Sequence, residues 1–413
     1  MVSTERTILH LPFFEALADS EESSAEWRTR SAGLVVLRLF DAWVNEGRSV
    51  VAADSWGLRA VREAIAAIDA RSSIRAILQS VVDTIESAGS AEVPTVAPRL
   101  LAYARALQFD ADWALAADVY RTVLAHAHPM EDCDIAVTAN MQLGSCLRML
   151  ADWQGASAAY STAGSIATIS GDLMNVLRSR IAEANLAIDR GNLPQAELML
   201  DETIAQANRS GLQEVKAVAL HDRAAVAHLR GKFELAVQLG YEALRGYREQ
   251  VAKDRVLADI AGSFTELGLR SAARDAYLIL AATAQEQYTR WLATVNLLEI
   301  AALDGSEPVF EQYRRELADA SLPASLAVYY HLFVGQGYRM FHKPEQAEAA
   351  LGRAIEIAST HKLNQVLIRA ERSLQELRNG GVIIIAACPE PSSDVAGVAG
   401  AIRELRALAG VAG

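Results

Sequence analysis

The densest group of potential metal ligands in the sequence lies between His126 and Asp134. The segment HAHPMEDCD brings imidazole, thiol and carboxylate groups within nine residues, and zinc binds groups of these kinds. An alternative interpretation is that His126 and His128 end one helix, Pro129 starts a loop and the acidic residues open the next helix. The repeat pattern described below favours this alternative, so we predict no metal at this segment.

Two further histidines, His221 and His228, lie seven residues apart on one predicted helix. This spacing places them on one face but ~10 Å apart along the axis, too far to share one ion easily. Asp222 points elsewhere on the helix and makes no catalytic pair with His221. The sequence also lacks GxGxxG, GxxxxGK[ST], GxSxG, HExxH and EF-hand patterns. We therefore predict no cofactor, and an enzyme is the least favoured function.

Composition indicates a helical cytoplasmic protein. The 413 residues are rich in alanine and leucine and include only 10 prolines, which favours helix. A net charge of −12 disfavours direct nucleic-acid binding. The three cysteines, Cys133, Cys146 and Cys388, form no disulfide or CxxC pattern. The N-terminal sequence does not resemble a secretory signal, and no apolar run reaches the ~18 residues that a membrane span needs.

The elements that must position any functional groups follow a repeat. Small residues recur every 40 and then every 37 positions, with one phenylalanine among them; we call these positions anchors: Ala116, Ala156, Ala196, Ala236, Ala273, Phe310 and Ala347. Side chains four and seven residues after each anchor share one helical face. Twelve residues before the anchor the sequence has Ala104, Gly144, Ala184, Ala224, Ala261, Leu298 and Gly335. A small residue at this position predicts close approach of two helices.

A turn with its own chemistry separates the two predicted helices of each repeat. Five residues before the anchor, Gly191, Gly231, Gly268 and Gly305 suit a helix C-terminus that needs positive φ. The next position holds the potential N-cap residues Asp112, Asp152, Asn192 and Ser306. Pro194 and Pro308 then fall in the first turn of the second helix. The pattern predicts helix, turn and helix in every repeat.

At these positions the sequence resembles the tetratricopeptide-repeat family. Two segments carry the resemblance best: Leu143, Gly144, Leu147, Trp153, Ala156, Tyr160 and Ala163, and Gly335, Tyr338, Pro344, Ala347, Leu351 and Ala354. The resemblance covers residues 98–378 in seven units and is weakest at 290–320, where Phe310 and Arg314 replace small and aromatic residues. It implies an all-α, right-handed superhelical solenoid of antiparallel helix pairs. The repeats exceed the family's usual length of about 34 residues, as in its bacterial peptide-receptor and adaptor members.

The chain ends depart from this repeat, so we predict three parts. Residues 1–92 form an N-terminal capping region, with an amphipathic helix at 25–46 and a degenerate helix pair at 57–88. The segment SAEVPTVAP, with Pro94 and Pro98, forms a hinge or loop before the array at 98–378. Residues 379–413 form a linker with strand-like residues 382–387 and a short helix at 395–409. This tail is disordered, packs on the last repeat, or lies in a neighbour's groove.

The resemblance implies that the first helix of each unit lines a concave groove. Eleven residues before the anchors lie Arg105, Ser145, Asn185, Ala225, Gly262, Glu299 and Gln336; eight before them lie Gln108, Arg148, Ile188, His228, Thr265, Ala302 and Arg339. From these positions and nearby ones we predict the peptide-binding residues Arg105, Arg148, Arg178, Asn185, His221, His228, Arg255, Gln336 and Arg339. The resemblance implies that Asn185 grips peptide backbone. The alternative is that these are ordinary solvated side chains.

Two functions remain after the catalytic motifs are excluded. The first is a scaffold or adaptor whose groove binds a protein or peptide, with carboxylate groups recognised by the arginines. The second is a ligand-responsive regulator that resembles bacterial repeat receptors for signalling peptides. Because the first ~90 residues contain no clear helix-turn-helix, such a regulator must act through a partner effector.

Overall fold

The fold is built from helices. The computed structural model describes residues 8–47, 56–88, 92–380 and 390–411. Within these ranges it contains twenty helices and no strand, which confirms the predicted fold class. The chain divides into two compact units, Met1–Met199 and Leu200–Gly413, here called the N-terminal unit and the C-terminal unit.

The helices follow the predicted repeat. Four helices precede the array: α1 (Leu11–Ala18), α2 (Ala25–Glu46), α3 (Trp56–Ala66) and α4 (Ser73–Ser87). The first helices of the repeats are α5 (Val93–Phe109), α7 (Cys133–Met149), α9 (Leu173–Asp189), α11 (Gln213–Leu229), α13 (Gln250–Glu266), α15 (Gln287–Leu303) and α17 (Ala324–Met340). The second helices are α6 (Trp113–His126), α8 (Trp153–Ile169), α10 (Leu193–Arg209), α12 (Phe233–Gly246), α14 (Arg270–Thr283), α16 (Glu307–Ala318) and α18 (Pro344–Thr360). Two more follow, α19 (Asn364–Arg378) and α20 (Ser393–Leu408). Every anchor lies in a second helix, so the tetratricopeptide-like architecture is confirmed.

The turn inside each repeat has the predicted left-handed residue. Gly191, Gly231, Gly268 and Gly305 have φ between 72° and 75°. The same position is left-handed where it holds Ala111, Ala151 or His342, with φ of 63°, 59° and 58°. Because alanine and histidine pay a steric penalty in this conformation, the surrounding packing must impose the turn.

The predicted N-caps form at only some of these turns. The Asp152 side chain accepts a hydrogen bond from the Gly155 amide at 2.9 Å, and Asn192 accepts from the Gln195 amide. Asp112 and Ser306 make no capping hydrogen bond, which corrects the prediction for these two positions. Asp112 instead accepts from Arg30 at 3.1 Å, so its carboxylate joins α2 to the first repeat.

Close approach of paired helices depends on the small residue twelve positions before the anchor. A Cβ atom placed on Gly144 would lie 2.4 Å from a ring carbon of Tyr160 on α8. A Cβ atom on Gly335 would lie 2.6 Å from Leu351 on α18. In both pairs the opposing side chain is the residue four after the anchor, as the repeat predicts. The missing side chain makes room for the buried one.

The irregular sixth repeat is accommodated by the seventh. Phe310, which replaces a small anchor, is fully buried and packs edge-on against Tyr338 and Phe341. A Cβ atom on Gly337 would lie 2.3 Å from the Phe310 ring. The glycine on α17 therefore provides the space that the larger anchor needs.

The N-terminal helices match the sequence prediction except at the prolines. The amphipathic helix predicted at 25–46 is α2, capped by Ser24, whose hydroxyl accepts from the Trp27 amide. The hinge predicted around Pro94 and Pro98 is wrong, because α5 begins at Val93 and contains both prolines. Pro94 lies in the first turn, where no N–H is needed.

The tail helix packs within the C-terminal unit at a site the sequence did not predict. Helix α20 packs on α12 and α14 rather than on the last repeat. It buries Val395, Val398 and Ile402. The buried Asp275 of α14 accepts from Arg406 at 2.6 Å and from Arg403 at 3.4 Å. The strand-like residues 382–387 and Cys388 lie outside the described residues.

The first helices form the inner side of the bend in the C-terminal unit. Helices α11, α13, α15, α17 and α19 contact one another in succession. In the described residues no comparable contacts join the second helices α12, α14, α16 and α18. A stack whose first helices lie closer together than its second helices must curve toward the first helices. The predicted groove therefore lies on this side.

A buried ionic network joins three helices of the N-terminal unit. His10 Nδ1 lies 2.8 Å from Asp118 of α6, and its Nε2 lies 3.0 Å from Asp41 of α2. Asp41 also pairs with His126 at 2.9 Å. Burial lowers the pKa of His10, but the hydrogen bonds and charges of Asp118 and Asp41 outweigh it and raise the pKa to about 9. The contacts with His10 and His126 lower the pKa of Asp41 despite its burial.

We predict that Gly144→Leu lowers the free energy of unfolding of the N-terminal unit by about 1–3 kcal/mol, since the new side chain collides with Tyr160. Urea unfolding followed by circular dichroism measures the change. Gly352→Leu is the matched control, because Gly352 is exposed on α18 and a Cβ atom there meets nothing within 4 Å. Equal stability of the two variants would contradict the close-approach model.

We predict that the network of His10 stabilises the fold most at acidic to neutral pH. Below pH 6.5 the residue is protonated in both states and its full contribution, about 3 kcal/mol at most, is present. As the pH rises through 9 the folded protein loses this proton and the contribution disappears. The difference in Tm between wild type and His10→Asn should therefore be large at pH 6 and small at pH 9.5. Asparagine tolerates the left-handed φ of 59° at this position.

The control for this experiment is His361→Asn, an exposed histidine, which should alter Tm little at either pH. A difference for His10→Asn that stays constant between pH 6 and 9.5 would refute the ionic role of His10.

Candidate functional site

The inner side of the C-terminal unit contains two adjoining cavities, here together called the inner groove. The first cavity, of about 380 Å³, is lined by Ala224, Ala225, His228, Leu229, Ala236, Gly240, Val256, Ala258, Asp259, Ile260, Gly262, Ser263, Tyr277, Leu292 and Asn296. The second, of about 420 Å³, is lined by His228, Gly262, Thr265, Glu266, Tyr277, Tyr288, Leu292, Val295, Asn296, Glu299, Ser325, Leu326, Tyr329, Phe333 and Arg369. Because five residues line both cavities, the inner groove is continuous from α11 to α19.

Fixed polar groups stand between the apolar walls of the first cavity. His228 Nδ1 lies 2.9 Å from the Ser263 hydroxyl, and its ring packs edge-on against Phe233. The Asn296 amide donates to the Leu292 carbonyl at 2.8 Å, which leaves its side-chain oxygen able to accept. Tyr277 forms part of the wall, and burial raises the pKa of its phenol. The orientation of these groups is set before any ligand arrives.

The second cavity combines aromatic and charged side chains. Tyr329 packs against the buried Phe333 with ring centroids 5.9 Å apart. Tyr288 is 45% exposed, so its ring is available to a bound molecule. Glu266 and Arg369, both exposed, lie at the same cavity. Rigid rings beside hydrogen-bonding groups are typical of surfaces that bind polypeptides.

Glu299 is a carboxylic acid in the wall of the inner groove whose pKa is raised. Burial raises the pKa of its carboxyl to about 7; the positive charge of Arg369 lowers it and the negative charge of Glu266 raises it. The carboxyl is therefore close to half-protonated at neutral pH. Any ligand that contacts it will bind with a pH dependence in this range.

Most of the predicted groove residues connect one first helix to the next. Six of the nine do so: Arg148 with Asp189, His221 with Asp259, His228 with Ser263, Arg255 with Glu286, Gln336 with Ser373, and Arg339 with Glu376. Each partner lies 31 to 41 residues further along the chain, which is about one repeat. These side chains link the helices of the inner wall. Four of the six partners are carboxylates: three pair with an arginine and one pairs with His221.

The other three predicted residues lie in the N-terminal unit. Arg105 and Arg178 are exposed on α5 and α9. Asn185 is half-buried on α9 and is engaged by a neighbouring group. Of all nine predicted residues, whose surroundings the structure describes, only His228 lines the inner groove. Peptide binding by all nine residues, His228 included, stays a prediction.

The potential metal ligands of residues 126–134 are separated in the fold. His126 ends α6 and pairs with Asp41, and the Cys133 thiol donates to the Met130 carbonyl. Asp132 accepts from the His128 amide and so closes the turn. Within the described residues, no group of three or more histidine, cysteine, aspartate or glutamate side chains is arranged to hold a metal ion.

The sequence analysis missed the aromatic and acidic lining of the inner groove. Gly262 and Glu299 occupy the position eleven before the anchor, but the choice of polar, mainly basic side chains passed over them. Tyr329 and Arg369 lie on the same wall and could have been found by counting back from Ala347 and extending the repeat to α19. Tyr288 lies near the start of α15, in the least regular part of the pattern.

Comparisons with known proteins find similarity to solved structures. No protein-family model matches the sequence, and no curated protein matches it. A tetratricopeptide repeat protein from Parabacteroides merdae has a TM-score of 0.44 and 12% identity, covering 67% of this chain and 98% of that one. A Rap protein complexed with Competence and Sporulation Factor has a TM-score of 0.45 and 12% identity, covering 85% and 98%. The Rap conjugation gene regulator of plasmid pLS20, in complex with the Phr* peptide, has a TM-score of 0.40 and 12% identity, covering 84% and 96%.

Among the described helices, none combines the length and the apolar character required to cross a lipid bilayer.

We predict that Glu299→Gln stabilises the protein at alkaline pH. Because the pKa in the folded state is raised from 4.5 to about 7, the wild type loses stability as pH rises from 4.5 to 7 and stays lower above that range. The variant avoids this penalty, which amounts to about 2–3 kcal/mol. Thermal melting should give the variant the higher Tm at pH 8 and a similar Tm at pH 4.5. Glu371→Gln, at an exposed carboxylate on α19, is the control and should show no such trend.

Proposed function

We propose that the inner groove of the C-terminal unit binds an extended polypeptide segment of a partner protein. The observation that carries this proposal is the continuity of the two cavities across successive first helices. An extended polypeptide needs a groove that offers both apolar pockets for its side chains and hydrogen-bonding groups for its main chain. The inner groove offers apolar walls with Asn296 and Thr265, and the aromatic rings of Tyr288 and Tyr329.

The charges of the inner groove argue against selection for acidic partners. Arg255 and Arg339, two of the arginines on which that prediction rests, pair with Glu286 and Glu376. Glu266 and Glu299 line the second cavity, and Arg369 is the one arginine or lysine among its lining residues. We therefore propose that the bound segment is neutral or carries few negative charges in this region.

The two finer functions predicted from sequence share this binding step. A scaffold holds a partner through the inner groove, and a ligand-responsive regulator passes the binding event to an effector. Two of the similar solved structures are complexes with a factor or a peptide. In this chain the support for binding comes from its own cavities. A non-catalytic role fits a site that assembles recognition groups around a hollow.

The proposal is tested by selecting phage-displayed random 12-residue peptides on the intact protein. Binding of the enriched peptides is then measured by fluorescence anisotropy. Tyr288→Ala should weaken binding about tenfold or more, since a partly exposed tyrosine in a groove is a common site of concentrated binding energy. Tyr288 has few buried contacts to lose, so the variant should keep its fold.

Phe109→Ala is the matched aromatic control, because Phe109 is 92% exposed at the end of α5 in the N-terminal unit. It should leave peptide affinity unchanged. Failure to enrich any peptide, or peptides that bind Tyr288→Ala and wild type equally well, would refute binding in the inner groove.

A further inference from the structure

The first cavity lies where two neighbouring repeats have only a methyl group or a hydrogen atom as the side chain at the same position. Eleven residues before the anchor, α11 has Ala225 and α13 has Gly262, whereas the next repeats have Glu299 and Gln336. Ala225 and Gly262 both line the first cavity. Two small residues on adjacent helices thus open a hollow in a wall that longer side chains cover elsewhere.

Gly262 differs from the glycines that allow helices to pack. A Cβ atom on Gly144, Gly240 or Gly335 would lie within 2.8 Å of a neighbouring side chain. A Cβ atom on Gly262 would meet nothing within 4 Å. Glycine lowers the stability of a helix interior relative to alanine, and packing does not require it here. Because Gly262 has no side chain, the space beside it in the inner groove stays open.

The chemistry of the hollow favours an uncharged, apolar occupant. Its walls are mainly aliphatic, from Val256 and Ile260 to Leu292, together with the buried Tyr277. The one carboxylate at the cavity, Asp259, is paired with His221 at 2.7 Å. A charged group placed here would lose its hydration without gaining a free partner. The apolar walls and the paired carboxylate therefore favour a ligand group without charge.

The polar atoms at the hollow suit the main chain of a peptide whose side chain enters it. Asn296 retains its side-chain oxygen as an acceptor, and His228 is oriented by Ser263. The volume of about 380 Å³ lies in the lower part of the range for ligand sites, roughly 300–1,000 Å³. That volume admits one large side chain with its adjoining backbone.

We infer that the hollow between Ala225 and Gly262 is a specificity pocket that receives one large apolar side chain, aromatic or long aliphatic, of the bound polypeptide. This inference rests on the proposed function and adds its specificity. The peptide residue that occupies this pocket sets the register of the bound segment, because the other cavity of the inner groove is less apolar. The second cavity then receives the peptide residues that precede or follow it.

The test uses a peptide enriched on the wild-type protein and its alanine scan. With wild type, replacement of one large apolar residue by alanine should weaken binding at least tenfold. With Gly262→Leu, which fills the hollow, the parent peptide should bind at least tenfold more weakly and the scan should no longer single out that residue. Gly262→Ala, which narrows the hollow by one methyl group, should give an intermediate loss.

Gly352→Leu is the matched control, with the same substitution at a helical glycine that also faces open space, on α18. It should bind as wild type does. Ala225→Leu fills the hollow from the opposite helix and should reproduce the loss, which keeps the test informative if Gly262→Leu folds poorly. Circular dichroism and Tm verify the fold of each variant.

The outcomes separate the two proposals. If Tyr288→Ala weakens binding but Gly262→Leu and Ala225→Leu do not, the specificity pocket is refuted and groove binding stands. The same conclusion follows if the alanine scan reveals no large apolar peptide residue on which binding depends. If no peptide binds the wild type, the proposed function itself fails. If N-acetyltryptophanamide competes as strongly as the parent peptide, the hollow is a small-molecule site, and the inference is overturned.

Discussion

The close approach of the two helices in each repeat is the constraint on which the rest of the structure depends. Gly144 and Gly335 have no side chain where Tyr160 and Leu351 must lie. The distance between the paired helices is therefore set by a glycine on the first helix and the larger side chain that packs against it from the second. This contact places each second helix behind its first helix. The first helices can then contact one another and line the inner groove. A larger residue at Gly335 would separate α17 from α18 and disturb the wall of the inner groove.

The repeat positions could be predicted from sequence because their physical requirement recurs with a fixed period. The left-handed turn is the clearest case, since it persists even at Ala111, Ala151 and His342. Periodicity could not reveal compensations between different positions, such as Gly337 making room for Phe310. Nor could it reveal contacts between distant segments, such as His10 with Asp118, which are 108 residues apart. The position of α20 against Asp275 belongs to the same class.

The candidate site was predictable in location but not in composition. Counting from the anchors led to the helical face that lines the inner groove, yet the residues chosen on it were mainly basic or polar. Such side chains are long enough to reach the next first helix, and Arg339 and Arg148 do so at 2.8 and 2.7 Å. A sequence does not state whether a polar side chain on an inner wall points toward a ligand or toward its neighbour. That depends on the distance between adjacent helices, which is a tertiary property.

The same reasoning explains why small residues carry the information about binding in this fold. In a wall of closely spaced helices, long polar side chains pair with one another across the gap and become part of the scaffold. The first cavity lies where two repeats have a small residue at this position instead, Ala225 and Gly262. Glycine thus has two opposite roles on the first helices: at Gly144 its missing side chain is filled by the protein, and at Gly262 it is left open. The surroundings of each glycine, rather than its identity, determine whether it supports the fold or the site.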